Sequence, residues 1–282
     1  MSDAKITALA PWKGSNRMLA HEVGKALSGC SWVGIPFAGG MSELLHVKAS
    51  TVLVNDAHRD VINLAQIVAN EAACDWLIQE ASAAPFHPDV LATAQERCLG
   101  SPCPIGGDAK RALYYFITCW MGRSGIAGTD AEFKGNLPIR WSATGGDSNT
   151  RYRSAVESLR AWRKILQRCN FSCLDCFEFL AKCQDKPGHA IYADPPWPED
   201  GDDYRHKFTE AHQRRLAAVL TEFQEARVVV RYGDHALIRE LYPEALWTWD
   251  LLTGRTQSNG EKNEVLLTRR RLSEVQPKLV ME

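Results

Sequence analysis

Residues 31–56 run as strand, glycine turn, helix, strand and acid, an order that builds a parallel sheet with ligands at the carboxyl ends of its strands. Ser31-Trp32-Val33-Gly34-Ile35-Pro36-Phe37-Ala38-Gly39-Gly40 reads as a short strand ending in a glycine turn, and Met41 to Val47 reads as a helix-like stretch. Thr51-Val52-Leu53-Val54-Asn55-Asp56 reads as a buried strand closing on an acid, and it leads into the helical pattern Val61, Leu64, Ala65, Val68. In doubly wound sheets the glycines of such a unit let backbone approach a nucleoside, and the acid binds ribose hydroxyls. Asp56 is the candidate for that role. The dinucleotide fingerprint G-x-G-x-x-G is absent and Phe37 stands where phosphate would need room, so the expected ligand is a nucleoside without phosphates.

A second element points to the chemistry. Ala190-Ile191-Tyr192-Ala193-Asp194-Pro195-Pro196-Trp197 carries an apolar strand into an acidic, doubly prolinated, aromatic-ended turn. Pro195 and Pro196 cannot donate backbone hydrogen bonds and have fixed φ, so they stop the strand and leave nearby carbonyls unpaired. Asp194 adds a carboxylate acceptor and Trp197 a flat apolar face. Two acceptors and a stacking surface suit a planar group with an exocyclic amine, such as a nucleobase. A Pro-Pro pair alone is more often a rigid surface turn; the unit at 31–56 is what favours a site.

The order of these motifs resembles the adenine-N6 DNA methyltransferases of the Dam type, which use S-adenosylmethionine. Pro36-Phe37-Ala38-Gly39-Gly40 is similar to the family's cofactor loop, Val54-Asn55-Asp56 with Asp60-Val61-Ile62-Asn63-Leu64 to its ribose-binding strand and helix, and Tyr192-Ala193-Asp194-Pro195-Pro196-Trp197 to its catalytic loop. Tyr204, Phe208, His212 and Leu216 resemble the stretch after that loop. Val228-Val229-Val230 and Ile238-Arg239-Glu240-Leu241-Tyr242 resemble the next strand and helix, and Gly254-Arg255 through Asn259-Gly260 to Glu264-Val265-Leu266-Leu267-Thr268 the closing hairpin. The similarity covers most of the chain and is patchy between about residues 70 and 110.

The resemblance implies an α/β fold: a Rossmann-like methyltransferase sheet carrying an inserted, mostly helical and loop-rich target-recognition subdomain. It places the S-adenosylmethionine-binding catalytic domain at 1–70 and 165–282 and the DNA-binding insertion at 71–164. It implies Asp194, Pro195, Pro196 and Trp197 as catalytic residues, and Trp12, Lys13, Pro36, Phe37, Gly39, Gly40, Asp56, Asp175 and Cys176 as cofactor-binding residues. The implied partner is double-stranded DNA, with a cognate restriction endonuclease as an open companion; no obligate protein partner is evident. A sister amino methyltransferase acting on cytosine N4 or RNA adenine, and an inactive DNA-binding homologue, are the alternatives.

Three positions depart from the family pattern. Trp12-Lys13-Gly14-Ser15-Asn16-Arg17 has Asn16 where the family has lysine, with Lys13 or Arg17 able to substitute. The acid expected before Phe177 is Cys176; Asp175, one residue earlier, falls on the opposite strand face unless a bulge turns it inward. Trp197 replaces the usual tyrosine, which keeps stacking but not the phenol's hydrogen bond.

Composition sets outer bounds. At 282 residues and 45% hydrophobic the chain buries a sizeable core. It has neither a long apolar run nor the blocks of a signal peptide, so a cytoplasmic protein is expected. Nine cysteines in such a chain imply reduced thiols. Cys169, Cys173, Cys176 and Cys183 approach zinc spacing, but Phe171 to Phe177 reads as strand, where Cys173 and Cys176 face opposite ways, and no metal is expected. The net charge of −1 hides a local excess of plus six between Gly106 and Asn170, within a stretch whose glycines suggest loops along a groove. The DNA-contact candidates there are Lys110, Arg111, Arg123, Lys134, Arg151, Tyr152 and Arg153; the last three pair charge with an aromatic in what reads as a polar loop.

Overall fold

The computed structural model describes residues 8–14, 19–123, 125–139, 147–198, 203–255 and 261–270. Asn16, Arg17, Arg140, Asn259 and Gly260 lie outside them. The first half of the chain forms α1 (Ala20–Ala26), β1 (Trp32–Ile35), a 3-10 turn (Ser42–Leu45), β2 (Thr51–Asn55), α2 (Arg59–Ala69), α3 (Glu71–Ala83), α4 (Pro88–Leu99) and α5 (Ala109–Met121). The second half forms α6 (Ser148–Leu166), β3 (Cys169–Ser172), α7 (Cys176–Lys182), β4 (His189–Ala193), α8 (Glu210–Glu222), β5 (Arg227–Gly233), α9 (Ala236–Leu241), β6 (Trp247–Arg255) and β7 (Glu261–Arg269). These elements fall into two compact units, one of residues 18–38, 46–55 and 174–282, the other of residues 1–17, 39–45 and 56–173.

The first of these is a sheet unit whose strands lie in the order β2-β1-β4-β5-β7-β6. β2, β1, β4 and β5 are parallel, with Trp32 opposite both Thr51 and His189, and Ala193 opposite Val230. Their residues are apolar on both faces, as a strand covered on two sides requires: Val33, Ile35, Val52, Val54, Ala190, Ile191, Tyr192 and Val228 to Val230 are at most 1% exposed. β7 runs antiparallel between β5 and β6 and closes the sheet as a hairpin. Phe177, Phe179, Leu216, Leu220, Tyr242 and Trp247 fill one core with the inward side chains of β4, β5 and β7. From β1 the chain leaves toward β2, and from β4 toward β5, so the strand order reverses between β1 and β4. In doubly wound sheets the ligand crevice opens at such a reversal.

The other unit is helical. The stripe Val61, Leu64, Ala65 and Val68 of α2 is buried and packs on α5 and α6, which bring in Tyr115, Phe116, Tyr152 and Trp162. Side chains cap these helices: Asn70 accepts from the Ala73 N–H at 3.0 Å, Asp108 from Arg111 at 2.8 Å and Asp147 from Thr150 at 3.0 Å. Through this packing α2 and residues before position 70 join the helical unit. Among the described residues no helix is long and apolar enough to cross a membrane.

Three local expectations are corrected. The stretch from Met41 to Val47 holds one turn of 3-10 helix, since Met41 takes a left-handed φ of 60° that an α-helix cannot include. The strand expected through Phe177 stops at Ser172, and Asp175 caps a helix that starts at Cys176. Arg151, Tyr152 and Arg153 lie on the nineteen-residue helix α6, not in a polar loop. The apolar repeat Tyr152, Val156, Leu159, Trp162 gives α6 a buried face, a period the polar residues around it obscure in the sequence.

Candidate active site

Within the sheet unit, the loops after β1 and β4 both leave at the strand-order reversal, the first carrying Pro36 and Phe37 and the second Asp194 to Trp197. Asn55, fully buried at the end of β2, organises the first of these. Its Nδ2 donates to Pro36 O at 3.1 Å and to Leu174 O at 3.0 Å, while its Oδ1 accepts from Leu174 N at 2.9 Å. One amide thus pins the loop after β1 and the segment leading into α7. Phe37 stands edge-on to Phe208 with ring centroids 5.6 Å apart. Behind it His212 stacks on Phe177, and the Arg215 guanidinium lies 3.9 Å from the centre of the Phe177 ring. Asp175 is exposed and its Oδ1 accepts from Phe177 N at 2.9 Å as the cap of α7; it lies outside any strand, so strand-face alternation does not set its direction. Cys176 is buried, and burial pushes its thiol up to about 12.

The loop after β4 is held from both faces of β5. Arg231 Nη1 donates to Asp194 Oδ2 at 2.8 Å, and the same guanidinium forks onto Glu264 Oε2 of β7 through Nε at 3.0 Å and Nη2 at 2.7 Å. Gly233, two residues on and therefore on the same face, lies beneath the indole of Trp197, where a Cβ would come within 3.0 Å of the ring. From the opposite face Tyr232 donates to Gln213, whose Nε2 donates to Pro196 O at 2.7 Å. Among the described residues, no donor is paired with Pro195 O. Burial raises the Asp194 carboxyl above its usual range and Glu264 adds to this, while the Arg231 charge and a hydrogen bond from Trp197 oppose it. The result is a carboxylate, a carbonyl and an indole gathered at the end of one strand.

In the helical unit, Asp56 is committed on both oxygens: Oδ2 accepts from Gly39 N and Oδ1 from His58 N, each at 2.9 Å. Each carboxylate oxygen has a second lone pair, so acceptor capacity remains. Trp12 bridges to Ala127 and packs so closely on Gly39 and Gly128 that a Cβ there would come within 3.0 Å and 2.3 Å of the indole. Its ring meets His58 edge-on at 5.4 Å. His58 Nε2 is 2.7 Å from Glu132 Oε1, both side chains nearly sealed from solvent, and Glu132 Oε2 accepts from Gly128 N at 2.8 Å. A carboxylate with spare lone pairs beside an aromatic face and a glycine backbone is a donor set that fits a nucleoside.

The basic candidates divide sharply. Lys110, Arg123 and Lys134 are exposed. Arg111 is not a surface charge: it is 5% exposed, forks onto Asp60 and donates to Arg97 O and Ser101 O. Tyr152 is buried and donates to Ala81 O, while Arg151 donates to Gly122 O and Arg153 to Ser82 O and Ala84 O. These four side chains hold helices and backbone in place. Among the described residues no three His, Cys, Asp or Glu side chains converge as a metal site.

Arg231, Glu264, Gln213 and the His58–Glu132 pair were not foreseen from the sequence. A signal existed for Arg231, since one arginine inside Val-Val-Val-Arg-Tyr is a charge in a buried strand and demands a partner. The partners are the part that linear sequence hides.

A model of the D12 class N6 adenine-specific DNA methyltransferases matches residues 12–96. The chain is also similar to the retron Ec67 DNA adenine methylase of Escherichia coli, 27% identical over 245 residues that cover 84% of this chain and 81% of that protein. The match at 12–96 takes in Trp12, the glycine loop and Asp56, and the relative's alignment extends over most of the chain. The same motifs stand in family order on a Rossmann-like sheet, and the chain is similar to the adenine-N6 DNA methyltransferases over these stretches.

Proposed function

We propose that this protein transfers the methyl group of S-adenosyl-L-methionine to the N6 amine of adenine in double-stranded DNA, with the target base turned out of the helix. The observation that supports this reading is the acceptor pair at the end of β4: the Asp194 carboxylate, fixed by Arg231, beside the Pro195 carbonyl, to which no donor is paired among the described residues. An adenine amine is a weak nucleophile because its lone pair is delocalised into the ring. Accepting its two hydrogens at Asp194 and Pro195 O favours a pyramidal nitrogen with the lone pair free to attack. Trp197, set over Gly233, offers the face on which the base stacks, and Pro196 stiffens the loop between them. Holding the reacting atoms about 3–3.5 Å apart and in line then supplies much of the rate.

When bound, S-adenosylmethionine supplies an electrophilic methyl carbon on a sulfonium. The residues proposed to hold it are Trp12, Lys13, Pro36, Phe37, Gly39, Gly40 and Asp56, with Asp56 accepting from ribose hydroxyls. Asp175 is the acceptor proposed for the adenine amine of the donor, because the buried neutral thiol of Cys176 is a poor one. Lys110, Arg123 and Lys134 are the exposed cations proposed to meet DNA phosphates.

The test is incubation with methyl-labelled S-adenosylmethionine and unmethylated duplex DNA, followed by digestion and mass analysis of the nucleosides. Label in N6-methyladenine is the expected product; label in N4-methylcytosine, or in RNA alone, would move the assignment to a sister enzyme. No label and no cofactor binding by calorimetry would leave an inactive DNA-binding protein. Asp56→Ala is expected to weaken S-adenosylmethionine binding by about 1–3 kcal/mol through loss of the ribose hydrogen bonds. Unchanged affinity in the same titration would remove Asp56 from the site.

A further inference from the structure

We propose that Arg231 is a positioning residue for methyl transfer: anchored on Glu264, its guanidinium fixes the Asp194 carboxylate and braces the Trp197 ring, so that acceptor and stacking surface are set before the base arrives. The inference rests on the reading above and adds residues that its motifs do not contain.

The strand register supplies the placement. Ala193 lies opposite Val230, so Asp194, the next residue after β4, emerges level with Arg231. On the other side of β5, Gly233 pairs with Glu264, which puts Glu264 diagonal to Arg231 on the same face. The geometry is a fork with three points, one N–H to Asp194 Oδ2 and two to Glu264 Oε2, and the guanidinium carbon lies 5.3 Å from the centre of the Trp197 ring. Arg231 is the hub of all these contacts. Its side chain is only 5% exposed, against 19% for Asp194 and 14% for Glu264. A planar guanidinium can hold two carboxylates at fixed angles where an ammonium cannot.

The division of labour follows. Arg231 takes one corner of the Asp194 carboxylate, which stops rotation about the Cβ–Cγ bond and leaves the remaining lone pairs aimed in one direction. Glu264 accepts from the Nε and Nη2 edge of the guanidinium and stops Arg231 from following Asp194 into the crevice. Among the described residues the charged and titratable groups that act on Asp194 are Arg231 on β5, Glu264 on β7 and the Trp197 indole in its own loop; Tyr232, on the opposite face of β5, interacts with it through the strand, and Tyr192 on β4 interacts with Arg231. Arg231 and Glu264 therefore push the acidity of Asp194 in opposite directions.

The experiment compares wild type, Arg231→Met, Arg231→Lys and Glu264→Gln in steady-state methylation of duplex DNA across the acid range, with S-adenosylmethionine affinity by calorimetry and thermal stability alongside. Arg231→Met is expected to lower kcat about 10²-fold, the scale of a misplaced reacting group. Cofactor affinity and the KM for DNA stay within a few-fold. The acid limb of its kcat profile moves to higher pH, Arg231→Lys restores the limb but only part of kcat, and Glu264→Gln moves the limb to lower pH. A purely structural arginine gives a different pattern: less folded protein, with kcat and acid limb of the folded fraction unchanged, and that result overturns the proposal. Should Arg231→Met not fold, the Glu264→Gln limb decides alone, because an amide keeps an acceptor for Arg231 while removing the charge. Wild type that transfers no methyl group removes both this inference and the reading beneath it; a transferring wild type with unshifted variants removes this one only.

Discussion

Asp194→Ala is expected to reduce methyl transfer by about 10³-fold or more while leaving S-adenosylmethionine affinity within a few-fold, a loss on the scale of deleting one preorganised hydrogen-bonding group from an active site. In the proposed function the carboxylate acts on the acceptor amine, so the donor's binding energy is expected not to depend on it. The fold is expected to tolerate the change because Arg231 keeps its two bonds to Glu264 and is not left as an uncompensated buried charge. Asp194→Asn refines the test: it retains the size of the side chain and one carbonyl, but it sets an NH2 group among the Arg231 N–H groups and the incoming amine. Loss in both variants, read by rapid-quench transfer with cofactor titration in parallel, fits an acceptor that must be anionic. Full transfer by Asp194→Ala would take the residue out of the chemistry. Below the elevated Asp194 titration the wild type is expected to lose activity in the same way, since burial holds that carboxyl above the ordinary range and a protonated acid cannot accept both of its former hydrogen bonds.

The parallel strands and the loops after β1 and β4 were legible in the sequence because each announces itself locally. Val-Leu-Val ending in Asn-Asp, and Ala-Ile-Tyr-Ala ending in Asp-Pro-Pro, are apolar runs stopped by residues with few conformational options, and they became β2 and β4. What was not legible depends on contacts between distant parts of the chain. Asp175 could be read as strand because capping depends on where a helix begins, and β3 stops three residues before it. Arg151 and Arg153 looked free because their carbonyl partners, at 122 and at 82 and 84, belong to other segments. Arg111 counts as one more positive charge in any tally of the sequence, yet in the fold it neutralises Asp60. Only exposure separates these from Lys110, Arg123 and Lys134 as candidates for phosphate contact.

Glu132→Gln is expected to cost about 3 kcal/mol of stability through loss of a buried ion pair, and the cost should depend on pH in a way that identifies His58 as its partner. Burial by itself would lower the His58 titration, but the hydrogen bond and charge of Glu132, followed by the charges of Asp60 and Asp56, raise it above the ordinary histidine value of 6.5. A histidine whose titration is higher in the folded than in the unfolded state contributes stability that is complete below the unfolded value and disappears as pH rises through the folded one. The difference between wild type and Glu132→Gln is therefore largest in mild acid and shrinks on the alkaline side, where His58 is neutral in both proteins. Denaturant midpoints measured on either side of that window give the comparison; a difference that is the same throughout would mean that His58 carries no proton in the folded protein. The same substitution is expected to loosen S-adenosylmethionine binding several-fold, because Glu132 holds the Gly128 backbone against which Trp12 is packed, and His58 meets the edge of that indole. Gly128→Ala, which pushes a methyl group into the Trp12 ring without touching the ion pair, should weaken binding with no pH signature in stability. That contrast separates the electrostatic role of the pair from its steric support of Trp12.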